Sequence, residues 1–273
     1  HLTIPCEMCI RDSFTTAWKN SNRFGFIKES EIFNHDTSPV KVKILDGIRN
    51  ILPYGVTTGL QTTLSTLLDG YKRCELVEDV GLGIYNLSSI LTDRAEPSES
   101  LKATTVWSKG LDHPQFLLSE QQTEAFSLNH PIETEVDIKG RRGSYYVADT
   151  VSLDADAMKT WIIVADLNQS SVDVARLIKG LSDNPTLIQE VHADVEKGDL
   201  NLKKLVFNAD GFQYTANKKA SYRHFSNTLY NIMRGGVYAD GYNIERDDFK
   251  AFVKVWNKEI YAQQSSFLNQ LPS

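Results

Sequence analysis

The placement of proline constrains this chain more than any other feature. Six of its eight prolines lie at or before Pro131, and between Pro131 and Pro272 only Pro185 occurs. Proline has no amide hydrogen and a fixed φ, so it is kept out of helix interiors and central strands. A segment punctuated this often, with glycines also breaking short runs, reads as strands joined by turns. A segment almost free of proline has room for long helices. The chain therefore divides into a β-rich first part and a helical second part, and its character changes at about Asp166–Ser171.

The first part carries clear period-2 signals. Ile132 to Ile138 alternates Ile-Glu-Thr-Glu-Val-Asp-Ile, which predicts a strand with Glu133, Glu135 and Asp137 on one solvated face. Lys139-Gly140-Arg141-Arg142-Gly143 reads as a turn. Ser144 to Leu153 returns as a Tyr/Val/Thr-rich strand, and Thr160 to Ala165 holds a compact Trp-Ile-Ile-Val run. Strands joined by short turns pair antiparallel. Two interruptions have the helical period: Leu60, Leu64, Leu67, Leu68 and Tyr71, and the stretch from Phe116 to Leu128.

In the second part the pattern predicts helices over 171–181, 185–208, 220–234 and 245–269. Asn184-Pro185 supplies a side-chain cap and a proline at the first helical position. Phe225, Leu229, Ile232 and Met233 share a face of the third helix, and Gly235-Gly236 supplies its left-handed C-terminal cap. In the fourth, Phe249, Phe252, Val253, Trp256 and Ile260 form one apolar face. Such a face lies against something, inside this chain or outside it. The fold class expected is α+β, with no internal repeat.

Composition narrows the function classes. At 273 residues and 41% hydrophobic, the chain is long and apolar enough for one large domain or two modest ones. It contains no apolar run of the roughly 18 residues a spanning helix needs, so no membrane span is expected in this segment. A net charge of −6 argues against nucleic acid or anionic lipid as an obligatory partner. Three cysteines suit a reducing, cytoplasmic setting.

The start of the chain reads differently from the rest. It begins at His1 and shows no secretory signal pattern. Cys6 and Cys9 form a C-x-x-C, yet neither a βαβ setting nor a further His at finger spacing accompanies it. Met8-Cys9-Ile10-Arg11-Asp12-Ser13 looks like a translated library-preparation adaptor. Residues 1–13 are accordingly expected to be an artefact or tag.

No complete active site is legible. A working carboxylate pair needs two separated environments, one holding its acid protonated and the other ionised, and the exposed acids of 133–137 do not supply that. Asp93-Arg94-Ala95-Glu96-Pro97-Ser98-Glu99 is a dense charged loop. Arg94 there either clamps a sugar or nearby carboxylate, or pairs within its own loop. Gly81-Leu82-Gly83 is a turn signal and lacks the rest of a dinucleotide fingerprint. Arg223, His224 and Arg234 sit beside or at the end of a helix, where basic residues complement the helix itself. No Ser nucleophile elbow, H-E-x-x-H, Walker loop or EF-hand occurs, so neither a cofactor nor a metal is expected.

Several stretches carry a resemblance. They are Trp18 to Phe26 (WKNSNRFGF), Ile44 to Gly55 (ILDGIRNILPYG), Gly70 to Leu76 (GYKRCEL), Asp93 to Glu99 (DRAEPSE), and His224 to Asn227 (HFSN) with Met233 to Gly236 (MRGG). Their order and spacing resemble the N-terminal region of very large bacterial proteins related to cellobiose phosphorylase and cyclic β-1,2-glucan processing enzymes. The similarity spans about Phe14 to the C-terminus.

The resemblance implies a galactose-mutarotase-like antiparallel β-sandwich, then a helical linker, then an (α/α)₆ catalytic barrel. On this basis residues 14–168 are the sandwich and 169–273 the linker. The barrel is absent from the sequence, as is the Trp-Asn-Asp-type motif that bears its catalytic acid, so no catalytic residue is carried over.

The expected role is then a non-catalytic N-terminal portion of a bacterial glycoside phosphorylase or hydrolase, inactive alone and supporting the barrel and sugar cleft. The expected partners are a β-glucan or oligosaccharide bound through the parent enzyme, the missing barrel and, as a further option, a second copy. The alternative is a free-standing carbohydrate-binding or oligomerisation module. For that reading Trp107 and Tyr145 are the candidate sugar-stacking rings, although both residues read more readily as core. A small complete enzyme with an unrecognised site is a third reading.

Overall fold

A computed structural model of the protein describes residues 2–9, 12–89, 101–236 and 244–272. The strands are β1 (Leu2–Cys9), β2 (Asp12–Ser21), β3 (Gly25–Asn34), β4 (Val40–Ile51), β5 (Lys72–Val77), β6 (Leu82–Leu87), β7 (Lys102–Lys109), β8 (Gln115–Leu117), β9 (Asp137–Lys139), β10 (Gly143–Leu153) and β11 (Met158–Ser170). They form an eight-stranded sheet, β1-β2-β3-β11-β7-β6-β5-β9, and a three-stranded sheet, β4-β10-β8. All the pairings are antiparallel. Helices α1 (Thr58–Thr63), α2 (Ser65–Tyr71) and α3 (Thr123–Ser127) interrupt the strands. Helices α4 (Ser171–Asp183), α5 (Leu187–Asn208), α6 (Lys218–Met233), α7 (Arg246–Trp256), α8 (Lys258–Gln263) and α9 (Ser265–Gln270) follow them.

The sheets face one another as a sandwich because each strand sends alternate side chains to opposite sides. Ile32, Cys74, Tyr85, Val106, Trp161 and Ile163 of the large sheet bury against Ile44, Tyr145, Val147, Val151 and Leu153 of the small one. Two buried tyrosines add reciprocal polar ties. Tyr85 Oη donates to the Ser144 carbonyl at 2.7 Å, and Tyr145 Oη donates to the Gly81 carbonyl at 2.6 Å. Burial pushes both phenols well above their ordinary pKa. Where β4 pairs with β10 the register shifts between Gly143 and Tyr145, and a Cβ at Gly47 would collide with the Tyr145 carbonyl.

The other face of the large sheet is covered by helices. Phe24, Ile27, Leu82, Trp107, Ile162 and Val164 bury against Leu181, Leu187, Val191 and Val195 of α4 and α5. Ser170 and Asp173 form a capping box at the start of α4, so the helix begins where β11 ends. By contact the chain divides into two units, His1–Val195 and Glu196–Ser273. The physical reason is that α4 and the first turns of α5 bury their apolar faces on the sheet.

Among its described residues the second unit has helices and no strand. Its buried residues include Val206, Thr228 and Leu268, and Phe212 packs edge-on against Phe225 at 5.4 Å. The left-handed cap is present: Gly235 has φ +74°, and the Gly236 amide donates to the Asn231 carbonyl at 2.8 Å. The single helix predicted over 245–269 is three. Asn257 leaves helical geometry (φ −149°, ψ 87°) and its side chain accepts from the Ile260 amide, capping α8. A short polar side chain that can bond nearby amides favours such a break over helix continuation. Phe252 and Trp256 on α7 are 60% and 76% exposed.

Two further predicted elements differ. The strand over 132–138 is limited to β9, and the helix over 116–128 is replaced by β8, a connecting stretch and the short α3. In both places isolated backbone bonds combine with bonds to side chains in place of a regular ladder. Among the described residues no helix is long and apolar enough to cross a membrane.

Candidate functional site

Along β10, Tyr145 and Val147 face the sandwich core while Tyr146 and Ala148 face the opposite side of the small sheet. On that outer side lies a cleft of about 430 Å³. Phe126, Pro131, Ile132 and Ala148 give it an apolar floor; Lys43, His113, Gln115, Asn129, His130, Asp149 and Thr150 line its rim. Phe126, half-buried, anchors the floor to a cluster that includes Leu117, Ile132, Tyr146 and Ala148.

The walls are fixed by a buried carboxylate. Glu135 is 8% exposed and accepts from the Leu118 and Ser119 amides, both at 2.8 Å. It also accepts from Ser119 Oγ and Gln122 Nε2, both at 3.0 Å. Gln122 completes the clamp, donating to the Glu133 carbonyl at 2.9 Å and accepting from the Glu133 amide at 2.8 Å. These bonds hold the 130–136 segment against the stretch between β8 and α3. A buried carboxylate needs such a full set of donors. Glu135 therefore corrects the expectation of three solvated acids. Glu133 is exposed, and Asp137 pairs with Arg73 and Lys139, each at 3.1 Å.

The rim is partly ordered by its own hydrogen bonds. Lys43 Nζ donates to Asn129 Oδ1, and Gln115 Nε2 donates to the Ile132 carbonyl at 3.0 Å. Asp149 accepts from the His113 amide at 3.1 Å and the Thr150 amide at 2.6 Å. The His113 and His130 side chains are exposed. Among the described residues lining it Asp149 is the one carboxylate, so they offer hydrogen-bonding groups over an apolar floor and not an opposed acid–base pair.

A second polar centre lies within the sandwich. Asp46 on β4, 7% exposed, pairs with Lys28. It also accepts from Ser30 Oγ at 2.7 Å, Trp161 Nε1 at 2.8 Å and the Gly47 amide at 2.9 Å. Every donor but one comes from the facing sheet, so this network joins the two sheets. Its role is structural.

The three candidate sugar-contacting residues are not brought together. Arg94 lies outside the described residues. Trp107 is 2% exposed, packed between the large sheet and the α4–α5 pair. Tyr145 is fully buried between the sheets. Neither ring has a face open to a sugar, and both take the core placement that the sequence also allowed. Their strands run through the molecule's two apolar layers, and that location decides their exposure. His224 Nε2 lies 2.7 Å from the Asp210 carbonyl, and Arg223 and Arg234 are exposed.

Cys74 is buried, and desolvation pushes its thiol up to about 12, the opposite of a reactive cysteine. Among the described residues no group of three or more His, Cys, Asp or Glu could hold a metal ion.

Sequence reasoning missed Asp46, the burial of Glu135 and the cleft. Asp46 did leave a signal, a lone carboxylate following Val-Lys-Ile-Leu in a strand. Glu135 was masked by the alternation around it.

Residues 238–273 match the family model for glycoside hydrolase family 149 insertion domain 1. The match supports a glycoside hydrolase-like protein. No curated protein matches the chain.

Proposed function

We propose that this chain is the non-catalytic N-terminal portion of a bacterial carbohydrate-active enzyme of the glycoside phosphorylase or hydrolase type. The observation that carries the reading is the match of residues 238–273 to a glycoside hydrolase insertion domain. An insertion domain is carried within a larger enzyme and leans on it. The exposed apolar side chains of α7 support the same reading, since Phe249, Phe252 and Trp256 recur at i, i+3 and i+7 and leave an uncovered helical face. In this role the helical unit supports a catalytic helical barrel, while the sandwich stiffens the assembly and shapes one rim of the sugar cleft.

The buried carboxylates favour a structural task over glycoside cleavage. Asp46 and Glu135 are each held by four donors. Neither is left free to protonate a glycosidic oxygen.

Sequencing the source DNA beyond the Ser273 codon tests the proposal. The expected result is a frame that continues into a long helical domain bearing a catalytic acid. A stop codon at that point would overturn the reading. It would favour the second one, a free-standing carbohydrate-binding module, which the polar cleft over β10 supports.

A further inference from the structure

We propose that the cleft on the outer side of the small sheet binds a neutral oligosaccharide, and that Asp149, Gln115 and His130 recognise its hydroxyls. The proposal rests on the reading that the chain belongs to a carbohydrate-active protein, and it names a site that this reading leaves open.

Four features select this ligand class. The first is size. About 430 Å³ falls within the roughly 300–1,000 Å³ of small-molecule sites. The rim residues Lys43, His113, Gln115, Asn129, His130 and Thr150 are all exposed, so the cleft is open along its length and suits a chain that extends past it.

The second is the kind of polar group. A sugar hydroxyl both donates and accepts, so neighbouring hydroxyls are best met by planar groups of mixed character. Asp149 accepts, the amides of Gln115 and Asn129 do both, and each imidazole does either according to its tautomer.

The third is charge. Among the described lysine, arginine and carboxylate groups lining the cleft there is one of each sign, Lys43 and Asp149. Lys43 is also spent on Asn129. An anion site would concentrate cations instead. A purely apolar ligand would strip water from the rim groups without replacing their hydrogen bonds.

The fourth is the floor. The Phe126 and Pro131 rings, with Ile132 and Ala148, give an apolar surface for the C–H face of a pyranose. The Glu135–Gln122 clamp holds this arrangement before any ligand arrives, which reduces the ordering cost of binding.

The test is calorimetric titration of the full chain with β-1,2-, β-1,3- and β-1,4-linked gluco-oligosaccharides of four to six units, alongside an oligogalacturonate. The expected result is saturable binding of at least one neutral series. Asp149→Asn and His130→Ala should each weaken it at least tenfold while leaving the circular dichroism spectrum and melting temperature unchanged. Asp149→Asn retains an oxygen to accept from the His113 or Thr150 amide, and His130 is exposed, so neither change threatens the fold.

Absence of binding across the neutral panel would overturn the proposal. So would binding that both variants leave intact, or a preference for the oligogalacturonate. These outcomes are separate from the fate of the parent reading. A frame continuing past Ser273 would preserve that reading even if the cleft binds no sugar, and a stop codon would remove it even if the cleft does.

Discussion

Asp46 shows how much of the sandwich depends on one side chain. Its carboxylate gathers Lys28, Ser30 and Trp161 from the large sheet onto β4. Removing one partner of a buried ion pair leaves the other charge uncompensated, at a cost of about 3–5 kcal/mol. Asp46→Ala should therefore lower the free energy of unfolding by about that much, measured by urea denaturation, because it strands Lys28. A loss below about 1 kcal/mol would show that the network behaves like a surface pair.

These contacts were not legible in sequence. Lys28 and Trp161 stand 18 and 115 positions from Asp46, and only the pairing of whole strands brings them together. Trp107 and Tyr145 teach the same lesson in reverse. Their chemistry suits sugar stacking, but the layer in which each strand lies decides whether a ring meets solvent.

At the scale of elements, legibility followed local chemistry. β10, β11 and α4 were readable because period-2 alternation, a Gly-containing turn and a new helical period all agree there. The cap at Gly235-Gly236 was readable for a similar reason, since only glycine adopts a left-handed φ at no steric cost. Gly235→Ala should lower stability of the helical unit by about 1 kcal/mol, checked by the change in the urea midpoint of the α-helical circular dichroism signal. No loss would contradict the cap's role.

The stretches 116–128 and 132–138 depart from the regular pattern because isolated backbone bonds, such as Glu135 to the Phe116 carbonyl, combine there with bonds to the Glu135 and Gln122 side chains. A periodicity argument counts apolar positions and cannot see such a clamp. The break at Asn257 escaped for the same reason, because the apolar face of 249–260 continues through it in sequence.

For the whole molecule, electrostatics sets a direction with pH. Arg73 and then Lys139 hold Asp137 below the usual carboxylate range, and Lys159 does so for Asp112. Glu190 is lowered by Asn184 and Arg23, and Asp173 by the Ser170 hydroxyl and amide. A depressed folded-state pKa means that the unfolded chain binds protons first as pH falls. The stabilisation is complete above the ordinary value near ~4 and is lost as pH drops through the folded values. Asp166, raised by burial, acts in the opposite sense. The urea midpoint should accordingly be lower at pH 3 than at pH 7, and an equal or higher value at pH 3 would show that these ion pairs contribute nothing.

The same scale carries the functional account. Most of the buried apolar side chains lie in the small sheet, the large sheet and α4–α5, whereas the shorter helical unit exposes more large apolar side chains for its length. That contrast, with the insertion-domain match, is what the proposed supporting role explains.

The most direct test of that role is an activity assay on the purified chain. It would be incubated with β-1,2-, β-1,3- and β-1,4-linked gluco-oligosaccharides, with and without inorganic phosphate, and the products separated by anion-exchange chromatography. The account predicts no sugar phosphate and no new reducing ends above the buffer control. Phosphate-dependent release of a sugar phosphate, or hydrolysis of any of these substrates, would contradict it.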